Sequence, residues 1–372
     1  MKKHIFFPLI FLLVCFSGYS KSSVFSISDT TRLRIVFAGD MMGHMPQISA
    51  AYNDSTKTYD YKPVFEYLRP YISAADIAVV NLEVTLAGKP YTGYPQFSSP
   101  DELADNLKEV GFDMLITANN HCIDRGKQGL ERTIAVLDSA HIPHTGTFKD
   151  SIDKLKNNPL FIEKENIKLA FLNYTYGTNG LKVQSPNLVN YIDTLNIRRD
   201  IEVCKAHGSD FIIVTIHWGI EYVRYPNTNQ RSVAAFIRKC GANAVIGSHP
   251  HVIQPVERFY NAQDSSSYFP VVFSLGNFVS NQRERYKDGG LLFELNLEKT
   301  DTTRLKSCSF LPVWVFRGNI NGKTDYRLIP PFKFQEASTK LCLGESDKLK
   351  CNEFYSDTRQ HLNNINEVKS DQ

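Results

Sequence analysis

Histidine, carboxylate and amide side chains follow five strand-like runs of this sequence, each at the point where the run ends. They are Asp40, Glu83, Asn119-Asn120-His121, His217 and Ser248-His249-Pro250-His251. Imidazole suits Zn, Mn or Fe, whereas carboxylate and amide oxygens suit harder divalent ions. A carboxylate can also bridge two metal ions, and such a pair turns bound water into a nucleophile. The residue types therefore indicate a divalent metal site with hydrolytic chemistry.

Taken one at a time, these residues also have plain structural explanations. Asp40 after a glycine is typical of a turn, Glu83 of a solvated loop, and His217 of a core histidine. The two histidines that flank Pro250 are more specific, because a stiffened loop directs both imidazoles outward. Repetition at every strand end favours one shared site, since ligands of open α/β sheets bind outside the carboxyl ends of the strands.

The elements that would position these residues alternate along the chain. The strand-like runs are Leu33–Ala38, Ile77–Val80, Asp113–Thr117, Leu169–Asn173, Phe211–Ile216, Ala244–Ile246, Val271–Ser274 and Leu291–Leu297. Helical periodicity is found in Gln128–Ala140, Asn196–His207 and Gln230–Cys240. Buried strands alternating with helices predict an α/β fold in layers. Beyond about residue 300 the pattern changes, so we assign 32–300 to the main domain and 301–372 to a β-rich C-terminal appendage with a polar tail.

Residues 1–20 have the pattern of a signal peptide. Two lysines precede an apolar run, Ile5–Phe16, that is too short to span a bilayer comfortably. Small residues then favour cleavage after Ser20. The alternative is a lipoprotein signal in which Cys15 is lipidated, although the bulky Val14 before it argues against this. Both alternatives predict an exported protein of the periplasm or cell envelope, lipid-anchored in the second case.

The composition fits a folded protein without a nucleic-acid partner. Hydrophobic residues make up 42% and charged residues 22%, which excludes a disordered chain. The 42 basic and 39 acidic residues leave a net charge of only +3, and no basic run is of the kind that binds DNA or RNA. Export would permit disulfides. Their connectivity cannot be read from the sequence, and Cys342 and Cys351, the nearest cysteines in the sequence, are the best single choice for a pair.

Six short motifs, in order over roughly residues 35–280, resemble those of the CapA family of capsule and poly-γ-glutamate synthesis proteins. They are Gly39-Asp40-Met41-Met42, Asn81-Leu82-Glu83, Asn119-Asn120-His121-Cys122-Ile123-Asp124-Arg125-Gly126, His217-Trp218-Gly219-Ile220-Glu221-Tyr222, Gly247-Ser248-His249-Pro250-His251 and Ser274-Leu275-Gly276-Asn277-Phe278. Since the domain of that family resembles the calcineurin-like metallophosphoesterases, the resemblance implies a layered α-β-β-α sandwich of the metallophosphoesterase type. It also implies an anionic polymer or phosphoester substrate, and membrane-bound capsule synthesis machinery as a partner.

The resemblance further implies two divalent metal ions, of Mn, Zn or Fe, held by six side chains. Asp40 and His251 would hold the first ion, Glu83 would bridge, and Asn120, His217 and His249 would hold the second. Where the phosphoesterases carry Asp-x-His in the first motif, this sequence has Met42. His44, two residues later, either compensates for that loss or lines the rim of the site.

The remaining candidates act on the substrate. By the same resemblance, His121 would meet the substrate and protonate a leaving group. Asp124 either orients His121 or caps the helix that follows. Arg125 is a candidate for binding a carboxylate or phosphate, and Glu221 and Tyr222 are expected to line the pocket.

These residues support competing hypotheses about function. The first is an exported metal-dependent hydrolase that cleaves a phosphoester or an amide during synthesis of a poly-γ-glutamate-type surface polymer. The alternative is a non-catalytic, metal-containing subunit that binds or assembles the polymer. A zinc-stabilised scaffold is a third hypothesis, and a fold alone does not decide among them.

Overall fold

The computed structural model describes Met1 and residues 30–264, 267–320 and 322–369. Residues 2–29, which carry most of the predicted signal peptide and Cys15, lie outside the described residues. Cleavage and lipidation of that segment therefore stay predictions. Within the described ranges, no helix is long and apolar enough to cross a membrane.

The described residues form strands and helices that alternate over most of the chain. The strands are β1 (Thr31–Met41), β2 (Tyr52–Asn53), β3 (Thr58–Tyr59), β4 (Ile77–Leu82), β5 (Met114–Ile116), β6 (His144–Thr145), β7 (Thr147–Phe148), β8 (Leu160–Lys164), β9 (Ile167–Thr175), β10 (Leu188–Val189), β11 (Phe211–His217), β12 (Ala244–Ser248), β13 (Val256–Tyr260), β14 (Tyr268–Val272), β15 (Asn277–Val279), β16 (Gly289–Lys299), β17 (Thr303–Ile320), β18 (Lys323–Ile329) and β19 (Asn366–Glu367). The α-helices are α1 (Met45–Ala51), α2 (Arg69–Ser73), α3 (Glu102–Val110), α4 (Gly126–Ser139), α5 (Ser151–Asn157), α6 (Thr194–Ala206), α7 (Thr228–Cys240), α8 (Phe334–Lys340) and α9 (Glu345–His361). Short 3₁₀ helices span Lys62–Phe65 and Pro331–Lys333.

Two large sheets contain most of these strands. The first has the order β18-β17-β16-β1-β4-β5-β6, with β15 beside β1 and β19 beside β17. The second has the order β13-β14-β12-β11-β9-β8. In the first sheet β1, β4, β5 and β6 run parallel, and in the second β9, β11, β12 and β14 run parallel. The carboxyl ends of the strands in each parallel set therefore lie at one edge of that sheet.

The sheets pack face to face, and helices cover the outer face of each. Phe37 of β1 and Phe171 of β9 belong to the shared apolar core between the sheets. Val36, the neighbour of Phe37, points to the opposite face and packs with Leu107 of α3. On the outer face of the second sheet, Ile237 of α7 packs with strand residues of β11 and β12. This arrangement confirms the α-β-β-α sandwich.

The helices of the second outer layer begin and end where their sequences provide caps. The Asp193 side chain accepts a hydrogen bond from the backbone N–H of Asn196 at the start of α6. Asn227 does the same for Gln230 at the start of α7. Gly241 ends α7 with φ of 96°, a left-handed conformation that glycine adopts without steric cost.

The residues after 300 extend the first sheet. The strands β17 and β18 pair with β16 and with each other in an antiparallel ladder. The predicted boundary at residue 300 falls between two neighbouring strands of this sheet, and the division into domains stays a prediction. The polar tail forms α9, whose Phe354 and Tyr355 are buried in the core between the sheets.

The predicted disulfide between Cys342 and Cys351 is wrong, since both are free thiols in this structure. Cys351 lies on α9 with its side chain in the apolar core, and burial raises the pKa of its thiol to about 12. Cys342 follows α8 and is exposed. Proximity in the sequence did not indicate that one thiol faces the core and the other faces solvent.

Candidate metal centre

The ends of five parallel strands, three from the first sheet and two from the second, bring the six proposed metal ligands together. Asp40 lies near the end of β1, Glu83 follows β4, and Asn120 lies in the turn after β5. His217 is the last residue of β11, and His249 and His251 follow β12. The two sheets meet here, because the backbone N–H of His249 lies 3.4 Å from Oδ2 of Asp40. All six side chains are buried.

Asp40, Glu83 and His251 form the first of two groups whose potential ligand atoms lie within 4.8 Å of one another. Nδ1 of His251 lies 3.1 Å from Oδ2 of Asp40, and Nε2 of the same ring lies 3.8 Å from Oε1 of Glu83. The imidazole therefore lies between the two carboxylates.

Glu83, His217 and His249 form the second group. Nε2 of His217 lies 3.3 Å from Oε1 of Glu83 and 2.7 Å from Oδ1 of Asn120. The rings of His217 and His249 are 4.8 Å apart between centroids. Glu83 belongs to both groups, which is the position that a bridging carboxylate requires.

No described residue donates a hydrogen bond to the carboxyl group of Glu83. Both of its carboxyl oxygens are buried and accept no hydrogen bond from the described residues. Burial raises the pKa of Glu83 well above its ordinary value of 4.5, and the neighbouring Asp40 carboxyl raises it further. A buried carboxylate without donors is costly, and cations at this position would offset that cost.

The two histidines of the second group are neutral at neutral pH. Burial lowers the pKa of His217 well below its ordinary value of 6.5, and the nearby His249 lowers it further. Burial also lowers the pKa of His249 to about 3, and its Nδ1 atom has no hydrogen-bond partner among the described residues. Neutral imidazoles keep a lone pair, which is the form that binds metal ions.

The donor set thus fits divalent metal ions. Imidazole nitrogens, two carboxylates and one amide oxygen suit Zn, Mn or Fe. As the resemblance implies, Asp40 and His251 belong to one group, His217 and His249 belong to the other, and Glu83 is common to both. Binding of an ion, and its identity, stay predictions.

Polar neighbours for which the sequence predicted no role orient these ligands. Nδ2 of Asn81 donates to Oδ1 of Asp40 at 2.8 Å, and Nδ2 of Asn119 lies 3.3 Å from Oδ1 of Asn81. Oγ of Ser248 lies 3.0 Å from Nδ1 of His217, which leaves Nε2 of that ring directed at the centre. Such partners fix the tautomer and ring orientation of metal-binding histidines.

Tyr176 also lies against the centre, although it was not among the residues predicted from the sequence. Its ring is 4.5 Å from that of His249 and nearly parallel to that of His217. Burial raises the pKa of the Tyr176 hydroxyl to about 12. Tyr176 follows the end of β9, beside β11, so the strand-end rule indicates it once β9 is extended beyond Asn173.

The loop after β12 holds its two histidines in an unusual backbone conformation. His249 has φ of 101° and His251 has φ of 57°, on either side of Pro250. Positive φ is uncommon for residues other than glycine, and it persists where the surrounding structure imposes it. The conformation turns both imidazoles toward Glu83.

His121 and Asp124 form a buried pair beside the centre. Nδ1 of His121 lies 2.7 Å from Oδ2 of Asp124, and the same oxygen accepts a hydrogen bond from the backbone N–H of Phe97. The side chain of Asp124 makes no cap at α4, whose N-cap residue is Arg125. The geometry therefore favours an orienting role for Asp124 over a helix-capping one.

His44 belongs to neither group of ligands. Its Nδ1 lies 3.0 Å from Oε1 of Gln47, and its ring packs edge-on against Phe97. Burial lowers the pKa of His44 to about 4, against the raising effect of the Gln47 hydrogen bond. Met42 is buried, and its thioether is a poor ligand for these ions. The geometry thus favours a place for His44 at the rim, without compensation for Met42.

Glu221 and Tyr222 lie at the exposed side of the centre. The Tyr222 ring is 6.1 Å from that of His251, and its hydroxyl accepts a hydrogen bond from Nε2 of Gln282. Burial and then Glu221 raise the pKa of Tyr222 to about 12. Both residues therefore lie on the solvent side of the group that contains His251.

Arg125 is placed away from the ligands. Its Nη1 donates to Oγ1 of Thr92 at 3.2 Å, and its side chain lines a surface cleft with Tyr91 and Tyr94. The structure gives it no contact with the six ligands. A role for Arg125 in substrate binding would operate in that cleft.

Comparison with known proteins gives one family match and several similar proteins. A family model described as "Bacterial capsule synthesis protein PGA_cap" matches residues 34–282. The PGA biosynthesis protein CapA of Bacillus subtilis (strain 168) is 26% identical over 373 residues, which cover 94% of this chain and 93% of that protein. The capsule biosynthesis protein CapA of Bacillus anthracis is 28% identical over 279 residues, which cover 71% of this chain and 64% of that protein.

Solved structures give weaker likenesses. The NAD nucleotidase NadN of Haemophilus influenzae is similar with a TM-score of 0.46 and 11% identity, over 89% of this chain and 61% of that one. The 5'-nucleotidase of Candida albicans SC5314 is similar with a TM-score of 0.44 and 12% identity, over 89% of this chain and 58% of that one.

Proposed function

Because the chain belongs to the bacterial capsule synthesis protein family PGA_cap, we propose that it is a metal-dependent hydrolase acting in the synthesis of a capsule-type surface polymer. The bond it cleaves is a phosphoester or an amide in the polymer or its precursor. The observation that carries the proposal is Glu83, a fully buried carboxyl that accepts no hydrogen bond from the described residues and is shared by two groups of potential metal ligands.

The chain's own residues divide the chemical work. Asp40, Glu83, Asn120, His217, His249 and His251 would hold two divalent ions. Such ions, when bound, lower the pKa of water toward neutrality and polarise the bond to be cleaved. The buried walls exclude bulk solvent and strengthen every electrostatic interaction inside the site.

His121 is the proposed general acid. Asp124 accepts the hydrogen bond of Nδ1 and so fixes the ring, and Nε2 donates a proton to the departing oxygen or nitrogen. Phe97 packs against the His121 ring with 4.7 Å between centroids, which restricts its rotation. An oriented imidazole is what leaving-group protonation requires.

Two tyrosines flank the position where a substrate would lie. The pKa of Tyr176 and that of Tyr222 are both raised to about 12, so both hydroxyls stay protonated at neutral pH. A protonated hydroxyl can donate a hydrogen bond to a phosphoryl or carbonyl oxygen. Both rings are about half exposed, which suits residues that meet a ligand from solvent.

The proposed setting is the cell envelope. The signal pattern of residues 1–20 supports export, either with cleavage after Ser20 or with a lipid on Cys15. Poly-γ-glutamate, an anionic polymer, is the proposed substrate type, by likeness to the relative named as a PGA biosynthesis protein. Membrane-bound polymer synthesis machinery is the proposed partner.

The test is turnover by the purified mature chain loaded with Mn, Zn or Fe. We expect hydrolysis of a phosphoester or of a γ-glutamyl amide from a substrate panel, and loss of hydrolysis in the Glu83→Gln variant. Glu163→Gln, an exposed glutamate on β8, is the matched control and should keep full activity. Full metal occupancy without turnover on either bond type would overturn the hydrolase proposal.

A second candidate function is a non-catalytic subunit that binds or assembles the polymer through its metal ions. Met42 favours it, because a buried thioether stands where the phosphoesterases carry a histidine, and the first group then has only three protein ligands. Polymer binding that needs metal, in a chain that hydrolyses neither bond type, would support this function over the first.

A further inference from the structure

A charged pocket of 150 Å³ lies beside the metal centre and contains none of its ligands. Its walls come from the loop after β15, from α9, and from the segments that follow Tyr222 and His251. A cavity of this size accommodates a benzene-sized group. The pocket is therefore large enough for a carboxylate or phosphate group.

Three cations that form no ion pair within the described part of the chain line this pocket. Among the described residues, Arg224, Arg283 and Lys350 make no ion pair, although all three are pocket residues. A fourth cation, Arg285, is already neutralised by Glu353 and Asp357 of α9. The pocket therefore offers unpaired positive charge.

Asp288 is the remaining carboxyl of the pocket, and its charge is already engaged. Nε1 of Trp314 donates to Oδ2 of Asp288 at 2.9 Å. Burial raises the pKa of the Asp288 carboxyl, although the Trp314 hydrogen bond and Arg283 oppose that rise. Asp288 and Arg283 therefore attract each other without forming an ion pair, and the lining as a whole, with four cations and three carboxyls, keeps one excess positive charge.

Arg283 gives the most specific indication of a ligand. Its Nη1 atom is buried and has no hydrogen-bond partner among the described residues. A buried guanidinium donor without an acceptor costs free energy, and an oxyanion would supply the acceptor. The planar guanidinium matches a carboxylate or a phosphate better than any other common group.

The pocket adjoins the centre through two segments of chain. Ile253 lies two residues after His251, and Arg224 lies two residues after Tyr222. Two residues span at most about 7 Å, so Ile253 and Arg224 each lie within that distance of a site residue. Between them, Nζ of Lys287 lies 4.3 Å from the centre of the Tyr222 ring.

We propose that this pocket binds an oxyanion group, a carboxylate or a phosphate, of the same anionic ligand whose neighbouring bond lies at the metal centre. The inference rests on the proposed function for the identity of that ligand. It goes beyond that function by assigning Arg283, Arg224 and Lys350 to a separate anion subsite. An anionic group held in this subsite would determine which bond of the polymer lies at the metal centre.

The test is binding, measured without turnover. The full mature chain carrying Glu83→Gln is stripped of divalent ions, so that no anion is held at the metal centre, and is titrated calorimetrically with inorganic phosphate and with a γ-linked glutamate oligomer. We expect one site for at least one probe. Binding by the oligomer alone assigns the pocket to carboxylates, and binding by phosphate assigns it to phosphate.

Substitution then locates the site. Arg283→Gln and Arg224→Gln, each added to that background, should weaken binding at least about tenfold, because each removes a charge-assisted hydrogen bond. Arg283→Lys should recover part of the loss. Arg198→Gln, at an exposed position of α6, is the matched control and should leave binding unchanged. Circular dichroism shows which variants are folded. If Arg283→Gln does not fold, the test uses Arg224→Gln.

Two outcomes would overturn the proposal: neither probe binds, or the folded arginine variants bind as tightly as their background. Failure of the proposed hydrolysis is a separate result, because this binding requires neither metal nor catalysis. An inactive chain that binds an anion through Arg283 would keep the subsite and reject the hydrolase. A chain that hydrolyses its substrate but whose Arg283 variant binds the anion normally would keep the hydrolase and reject the subsite.

Discussion

Nε2 of His217 lies 3.3 Å from Oε1 of Glu83, and neither side chain is accessible to solvent. The amide oxygen of Asn120 lies 2.7 Å from the same nitrogen. A neutral imidazole has one N–H at most on this side and can serve only one of these acceptors. A cation would satisfy all three atoms, so the arrangement has the character of a metal site more than that of a hydrogen-bond network.

Glu83→Gln should stabilise the metal-free protein at neutral pH. The substitution removes a buried carboxyl that accepts no hydrogen bond in the described part of the chain, and the gain in stability should be about 1 kcal/mol or more. Calorimetric melting in the presence of a chelator measures it, with Glu163→Gln as the control that should leave the melting temperature unchanged. A metal-free Glu83→Gln variant that melts at a lower temperature than the parent chain would contradict the claim that the buried Glu83 carboxyl destabilises the metal-free protein.

The two ions should bind with unequal affinity. Glu83, His217, His249 and Asn120 provide four protein ligands for one ion, whereas the group containing Asp40 and His251 has three because Met42 is a poor donor. Stepwise chelation followed by metal analysis should therefore remove one ion first. The ion that remains should be the one held by the group with His217 and His249, so it should be lost in His249→Ala and kept in His251→Ala. The opposite pattern would show that the ligands are assigned to the wrong ions.

His121→Asn should lower kcat by about 10²- to 10⁴-fold while metal content stays unchanged, because the side chain donates a proton and holds no ion. Asp124→Asn should lower kcat less, since the ring keeps its position but loses its charged partner. Cys122→Ala is the matched control at the adjacent buried position. Steady-state kinetics with parallel metal analysis measures both effects, and unchanged kcat in His121→Asn would remove it from the mechanism.

His361 should make the protein less stable in mild acid. Burial and the charge of Arg224 lower the pKa of His361 to about 4, from 6.5 in the unfolded chain, although Asp357 opposes this shift. The unfolded chain therefore binds a proton that the folded chain does not, and stability falls as the pH drops from about 6.5 to about 4. His361→Asn should flatten this part of the curve of melting temperature against pH, and the exposed His141→Asn should not. Parallel curves for the two variants would contradict the prediction.

The sequence was most informative about the parts of the fold that depend on local pattern. Apolar runs located β1, β4, β11 and β12, and the residues after them led directly to Asp40, Glu83 and His217. Long-range pairing was not visible, so the place of β17 and β18 within the first sheet was missed. The Cys342–Cys351 prediction failed for a related reason, because periodicity in α9 did not reveal that Cys351 faces the core.

Within the site, the sequence indicated the ligands better than their neighbours. Tyr176 was missed because the polar Asn173 ended the predicted strand, although β9 continues to Thr175. The charged pocket proposed as an anion subsite was missed, because Arg283 and Lys350 lie far apart in the sequence. They meet only where the loop after β15 packs against α9. Nothing in the local pattern of either segment indicates that contact.

Metal analysis of the purified mature chain, compared with its Glu83→Gln variant, tests the central claim most directly. We predict two divalent ions per chain, one for each group of ligands, and loss of both when the shared carboxylate becomes an amide. A chain that takes up no divalent ion under saturating conditions would contradict the account, as would a Glu83→Gln variant that keeps both ions.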